Sequence, residues 1–258
     1  KKEAQLIVVY AVEPLFVQSP YADSVDENAI RQEITKQIDQ LNAEAQVEYM
    51  LFVESGKAAG TIMLQAEKTQ ADLIVVGSHG KDDVDSNYFG STTLKLIQRT
   101  HIPVLIVKNR VESIYRHMLA PTNLSNCSKE SIMFANTLFT KPTRKYLYAY
   151  ETINKLQAQT YHFSDEQAEE FRSERTTIAK LALETFVKEV DGEEMALIDY
   201  TASINEDLLE YIKEDNADLL VLGSKGVGNL NSFVFGSTAS YLVRYSPIDV
   251  LVYVPSAT

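Results

Sequence analysis

Residues 72–80 read DLIVVGSHG and residues 218–226 read DLLVLGSKG, 146 positions further on. Each is a short apolar run closed by glycines, the pattern of a buried strand that ends in a sharp turn. FGST at 89–92 and 235–238 keeps the same offset, as do Ile102, Val104 and Leu105 against Ile248, Val250 and Leu251. From Ala71/Ala217 to Val107/Tyr253 the two blocks align without a gap, with 16 identities in 37 positions. The chain is a tandem duplication. Two domains are expected, 1–110 and 114–258, with the boundary near Asn109 to Ser113, where an apolar strand gives way to a charged stretch.

Outward from this block, short apolar runs alternate with amphipathic stretches, as in βαβ units around a parallel sheet covered on both faces. The first half predicts strands at about 5–12, 47–53, 72–77 and 102–107, with helices at about 26–44, 57–70 and 91–100. The second predicts strands at about 116–121, 145–151, 195–201, 218–223 and 248–254, with helices at about 127–140, 165–190, 204–215 and 237–246. Capping boxes mark two helix starts, Ser164 with Gln167 and Ser203 with Glu206. Tyr146, Tyr148 and Tyr150 alternate at strand period and read as sheet packing rather than a platform for a base.

The halves begin differently. The second opens with HMLAPTNLSNCSKESIMFANTLF (117–139), a strand, a turn and a helix, before its Tyr148–Glu151 segment. The first opens directly at the matching segment, Tyr10 to Glu13. The piece without a counterpart is roughly 25–30 residues, about one strand–helix unit, and the expected reason is that the sequence is a trimmed part of a longer chain.

Composition narrows the function. Of 258 residues 45% are hydrophobic and 23% charged, which excludes a disordered or collagen-like chain. With 24 basic and 36 acidic residues the net charge is −12, and a surface that acidic repels a nucleic-acid backbone. A single small anion can still be held, because helix N-termini and backbone amides carry no formal charge. The longest apolar run, Leu6 to Val12, is far short of the roughly 20 residues of a membrane helix. Lys1 and Lys2 before it imitate a signal peptide, but no small-residue cleavage site follows. Cys127 is the only cysteine, so no intrachain disulfide forms. These features point to a soluble, cytoplasmic protein without nucleic-acid or membrane partners.

The chemistry lies in the repeated glycines. The first half has Gly77, Gly80, nine residues, then Gly90, Ser91 and Thr92; the second has Gly223, Gly226, nine residues, then Gly236, Ser237 and Thr238. In open α/β sheets ligands sit beyond the carboxyl ends of strands, where glycines let the backbone approach and a following helix offers free amides to a phosphate. One such pair also serves as an ordinary turn and cap; two copies at identical spacing favour a phosphate cradle. Gly56 and Lys57 lack the upstream glycine and the following hydroxyl residue of a Walker A loop, and the glycines follow too late a strand for a dinucleotide fingerprint.

Gly-x-x-Gly, nine residues, Gly-Ser-Thr, then a helix and an apolar strand such as HIPVLIV resembles the ATP-binding branch of the universal stress protein family. The resemblance covers nearly the whole chain as a tandem pair. It implies an α/β fold of two tandem open parallel-sheet sandwich domains of strand order 3-2-1-4-5, the first without its opening strand and helix. It also implies ATP across the carboxyl ends of the strands, with glycines along ribose and phosphates and the Gly-Ser-Thr turn on the phosphates. An acidic residue in a Pro-Thr-Asp turn contacts the nucleoside end in that family; here the turn is Pro121, Thr122 and Asn123, so base preference at that position is open. In this order the absent strand would be the central one. Strands 5–12 and 72–77 would then flank a lane filled by an upstream segment ending in a Pro-Thr-Asp-like turn, borrowed from another molecule, or closed by direct pairing. Edge strands 102–107 and 248–254 are expected to join the halves as an internal pseudo-dimer, with a homodimer also open.

The reading that follows is an ATP-binding stress-response or signalling protein with little or no hydrolysis, since no base or arginine finger is evident. Its rivals are an adenylating enzyme of the same fold group and a dimerisation scaffold with a vestigial motif. The second half is the expected site. Lys225 can offset phosphate charge, where its counterpart His79 reads as a solvated loop residue. Asp82, Asp83 and Asp85 in the first nine-residue loop are solvated, repel nucleotide, or share a Mg²⁺ with it. Cys127, at a helix start, reads as a small buried thiol. His79, His101, His117 and His162 lack metal-ligand spacing.

Overall fold

The structure is a computed structural model that describes residues 4–13, 26–43, 46–78, 90–110, 114–192, 194–224 and 235–255. The chain divides into two compact units, 1–71 and 72–258.

The first unit holds β1 (Leu6–Val12), α1 (Glu27–Asn42), β2 (Tyr49–Ser55) and α2 (Ala58–Lys68). Asp26 caps α1, its side chain accepting the Ala29 amide. β1 and β2 pair in parallel from Leu6/Tyr49 to Val12/Ser55. The apolar run of β1 reads as a strand covered on both faces, yet Leu6 and Tyr10 are exposed in it.

The second unit holds β3 (Ile74–Gly77), α3 (Ser91–Arg99), β4 (Val104–Val107), β5 (His117–Thr122), α4 (Asn126–Leu138), β6 (Thr143–Glu151) and α5 (Lys155–Thr160). It continues with α6 (Asp165–Glu189), β7 (Glu194–Tyr200), α7 (Ile204–Glu214), β8 (Leu219–Gly223), α8 (Ser237–Tyr245) and β9 (Asp249–Tyr253). Its single sheet runs β3-β4-β9-β8-β5-β6-β7. The segment β7-β6-β5-β8-β9 is the expected 3-2-1-4-5 order, with every ladder parallel. β4 and β9 join antiparallel, Val104–Ile106 against Val252–Val250, the two edges expected to meet. Buried residues from β5, β6, β8, α4 and α6, among them Met118, Tyr146, Val221, Ile132 and Leu183, form the core. Tyr146 is buried, Tyr148 packs on that core and the Tyr150 hydroxyl meets Thr176 Oγ1 at 2.8 Å, so these tyrosines pack the sheet as expected.

β1 and β2 form the two-stranded sheet of the first unit, and β3 is an edge of the seven-stranded sheet of the second. Equivalent residues of β3 and β8 differ accordingly. Val221 in β8, flanked by β5 and β9, is 1% exposed; Val75, its counterpart in the edge strand β3, is 58% exposed. Ser164 forms its capping box with Gln167. Ser203 does not: its side chain makes no cap hydrogen bond, a correction to the expected box with Glu206. A third box, Asn154 with Gln157, starts the short α5 that the sequence pattern did not reveal.

Gly192 follows α6 and sits against the Tyr146 ring. A Cβ there would overlap that ring and Val187 Cγ1, both in the core. Gly192→Ala is expected to cost about 3 kcal/mol, the upper part of the range for overpacking. Urea unfolding checks it, and a change below about 0.5 kcal/mol, the size of an ordinary surface substitution, would show that the core yields.

Where the copies meet, Lys108 Nζ donates to Val243 O (2.7 Å) and Ser246 O (2.6 Å), carbonyls at the end of α8. Burial pulls the Lys108 ammonium down to about 8, against the opposing pull of Asp249. The unfolded chain therefore binds more protons than the native one between pH 8 and the ordinary lysine value of 10.5, and stability rises with pH across that window. Burial first, then the hydrogen bond to Asp249, pushes the Tyr115 hydroxyl far above 10, so its contribution falls as pH rises past 10. Comparing wild type with Lys108→Met cancels the tyrosine. The difference in unfolding free energy is expected to move in favour of wild type by up to about 3 kcal/mol from pH 8 to 10.5; a flat difference would refute the depressed lysine.

Candidate functional site

At the carboxyl ends of β5, β6 and β8 lies a cavity of about 520 Å³. The turn after β5 forms one wall. Leu124 takes a left-handed conformation (φ 62°), held by the Thr122 Oγ1 acceptor on its amide at 2.9 Å and by packing of its side chain on the core. Asn123 Oδ1 accepts from the Ser128 hydroxyl (2.8 Å) and the Ser125 amide (3.2 Å). With Oδ1 taken twice, the side chain has its amide N–H donors left for a ligand, where an aspartate would keep a second acceptor oxygen. Ser125 caps α4 through the Ser128 amide.

The opposite wall is the start of α8. Gly236 is its N-cap and makes no side-chain cap bond, and Ser237 and Thr238 open the helix into the cavity. Two helix N-termini, those of α4 and α8, thus converge on one space and favour negative charge there. Leu147, Ala149, Ile204, Leu208 and Leu222 supply an apolar side. No charged side chain lines the cavity among the described residues. Ser224 lines it too; the residue is 2% exposed and its Oγ has no hydrogen-bond partner among the described residues. A buried hydroxyl left so is costly unless a ligand or water meets it. Behind the site, burial raises the Tyr253 hydroxyl above its ordinary value, and Glu130 and Cys127 push the same way.

Of the residues singled out from sequence, Thr122, Asn123, Gly223, Gly236, Ser237 and Thr238 line this cavity together. Lys225 and Gly226, like Gly80, His79 and the aspartates 82, 83 and 85, lie outside the described residues. Cys127 corrects an expectation. It is half-buried rather than buried, lines the cavity, and its thiol donates to Ser224 O. Ser224 and the apolar wall were missed. The only signal for Ser224 was its identity with Ser78 inside the repeated block.

The first copy treats the same residues differently. Around Gly77, Gly90, Ser91 and Thr92, the Gly90 amide donates to Ser78 O at 3.0 Å and Thr93 Oγ1 donates to Gly77 O at 3.1 Å. Thr93 is Ala239 in the second copy, with no hydroxyl to offer Gly223 O, and the Ser224 carbonyl, counterpart of Ser78 O, accepts from the Cys127 thiol. In the first copy the Gly77 and Ser78 carbonyls are thus met from within the copy, by Thr93 and Gly90, while in the second Gly223 and Ser224 line a cavity walled by β5 and α4.

The universal stress protein family matches residues 1–108 and 114–254, and the chain belongs to that family. A universal stress protein of Methanocaldococcus jannaschii is 36% identical over 77 residues, 30% of this chain and 45% of that protein. One of Thermus aquaticus is 31% identical over 113 residues, 41% of this chain and 78% of the other. The chain thus spans less than half of the first relative's length and about three quarters of the second's. Among solved structures, a universal stress protein of Archaeoglobus fulgidus superposes with a TM-score of 0.68 at 18% identity, covering 96% of this chain and 87% of that one. One of Pseudomonas aeruginosa gives 0.64 at 14% identity, covering 96% and 92%. These likenesses establish the fold. Among the described residues no helix is long and apolar enough to cross a membrane.

Proposed function

We propose that the cavity beside β5 and β8 binds an adenine nucleotide, ATP, and that the protein acts in stress response or signalling as a binding module with little or no hydrolysis. The observation that carries this reading is the convergence of two helix N-termini and a Ser224 hydroxyl, unpartnered among the described residues, on a cavity with an apolar side. An apolar wall suits a base and free amides suit phosphates. The volume falls within the roughly 300–1,000 Å³ of small-molecule sites. The repeated glycine motif of the family's ATP-binding branch supports the same ligand. No base or arginine finger is evident in the sequence motif, which suits slow hydrolysis at most. Binding is assigned to the second copy, about one nucleotide per chain, with Mg²⁺ left to be scored by titration in its presence and absence.

Mass spectrometry of nucleotide released from the purified protein tests this directly. Bound ATP supports the reading. AMP with a consumed co-substrate favours an adenylating enzyme. No released nucleotide, together with no heat of ATP binding in calorimetry, leaves a scaffold with a vestigial motif.

A further inference from the structure

The single cysteine occupies an unusual place for a thiol that packs a core. Cys127 is the second residue of α4, just past the Ser125 cap, and its side chain lines the same cavity as Gly236 and Ser237. Its Sγ is held at the mouth of β8: the thiol donates to Ser224 O, and a Cβ on Gly223 would stand only 2.9 Å from Sγ and 3.0 Å from the Cys127 carbonyl. Gly223 is thus required by the cysteine as well as by any phosphate.

Cys127 sits in the first turn of α4, where free helix amides favour negative charge, and its hydrogen bond to Ser224 O is given up when the thiol ionises. The neighbouring Ser224 Oγ, buried without a partner among the described residues on the same wall, independently marks this corner as built for a ligand's polar atom. Two helix N-termini draw an anion in, and the only thiol among the described lining residues lies there.

We propose that Cys127 is a thiol-modification site at which a low-molecular-weight anionic disulfide forms a mixed disulfide, and that this adduct and the nucleotide exclude one another. The proposal rests on the nucleotide reading of the cavity. The step is thiol–disulfide exchange. Cys127 gives up its proton and Sγ attacks one sulfur of the small disulfide. A new S–S bond forms as the old one breaks, and the departing thiolate takes up a proton. The small disulfide is the oxidant, reduced to one thiol and one half retained on the protein; no other reactant is needed. The retained half projects into a space of about 520 Å³ that a nucleotide would fill, and its carboxylates compete for the amides that would face phosphates.

The test uses the full chain, glutathione disulfide as probe, and ATP. Mass spectrometry is expected to find one glutathionyl group per chain, on Cys127, formed at least about tenfold more slowly when ATP is saturating. Calorimetry of the modified protein is expected to give an ATP affinity at least about tenfold weaker, some 1.4 kcal/mol, recovered on reduction with dithiothreitol. In Cys127→Ser the same treatment should leave the affinity where it started, whatever that value is. Unchanged ATP affinity at full modification of Cys127 overturns the inference alone, and so does failure of the thiol to react. Absence of ATP binding in the untreated protein overturns the nucleotide reading, and the mutual exclusion falls with it.

Discussion

Gly236→Val is expected to abolish ATP binding, while Gly90→Val leaves about one site per chain at unaltered affinity. Gly236 has φ −59° and ψ 147°, a backbone conformation open to any residue, so the dihedral angles do not exclude a valine there. Its branched Cβ would instead fill the approach to the first turn of α8, where Gly236, Ser237 and Thr238 border the cavity. A phosphate bound by amides needs heavy-atom separations near 3 Å, and two added methyl groups deny that approach. A loss of about 100-fold or more in affinity is expected, near 2.7 kcal/mol. Gly90 is a different case. A Cβ there would lie 3.1 Å from Ser78 O, so valine strains the turn and lowers stability without touching the second copy's site. Titration calorimetry of both variants decides it. Should Gly90→Val abolish binding while Gly236→Val changes neither stoichiometry nor affinity, the site belongs to the first copy.

Much of this architecture is legible in the residues, for reasons that particular positions make plain. Strands such as Leu219–Gly223 and helices such as α6 appear close to their predicted bounds, because continuous apolar runs and capped amphipathic runs are local signals. The duplicated block also identifies β4 and β9 as twin edges. Ser203 is the instructive failure: the spacing to Glu206 fits a capping box, yet Ser203, at φ −128° and ψ 98°, makes no side-chain cap bond. Short α5 escaped because six residues carry too little periodicity to register. At the site, the glycines and hydroxyl residues were legible because their spacing repeats. Leu147, Ile204 and Leu208 were not, since a residue that walls a cavity from a distant strand or helix looks in sequence like any core residue. Cys127 was misread for the same reason: whether a thiol at a helix start meets core or cavity depends on what stands opposite, here the Gly223–Ser224 turn nearly a hundred residues away.

Asp249→Ala is expected to destabilise the larger unit by about 3–5 kcal/mol, the cost of leaving buried hydrogen-bonded groups without their charged partner. Asp249 is 5% exposed at the start of β9. Its Oδ1 accepts from the backbone amides of Lys108 (2.8 Å) and Asn109 (3.0 Å), and its Oδ2 from the Tyr115 hydroxyl (2.6 Å). One carboxylate therefore ties the end of β4, the segment leading into β5, and β9 together. The repeat was broken to make this clasp, because the counterpart of Asp249 in the first copy is Pro103 and that of Lys108 is Val254. Only three residue pairs join β4 to β9 in register, so the ladder alone holds this junction weakly. Removing the carboxylate strands three donors and takes a negative charge away from the buried Lys108 ammonium. Asp249→Asn should cost less, about 1–2 kcal/mol, since its carbonyl oxygen can still accept from the two amides while its NH₂ can donate to the tyrosine oxygen. Urea unfolding followed by hydrogen exchange at Val104–Val107 measures both, the exchange reporting whether the loss begins at the β4–β9 junction. An Asp249→Ala protein within about 1 kcal/mol of wild type would mean that the junction rests on its apolar ladder, with the polar clasp incidental.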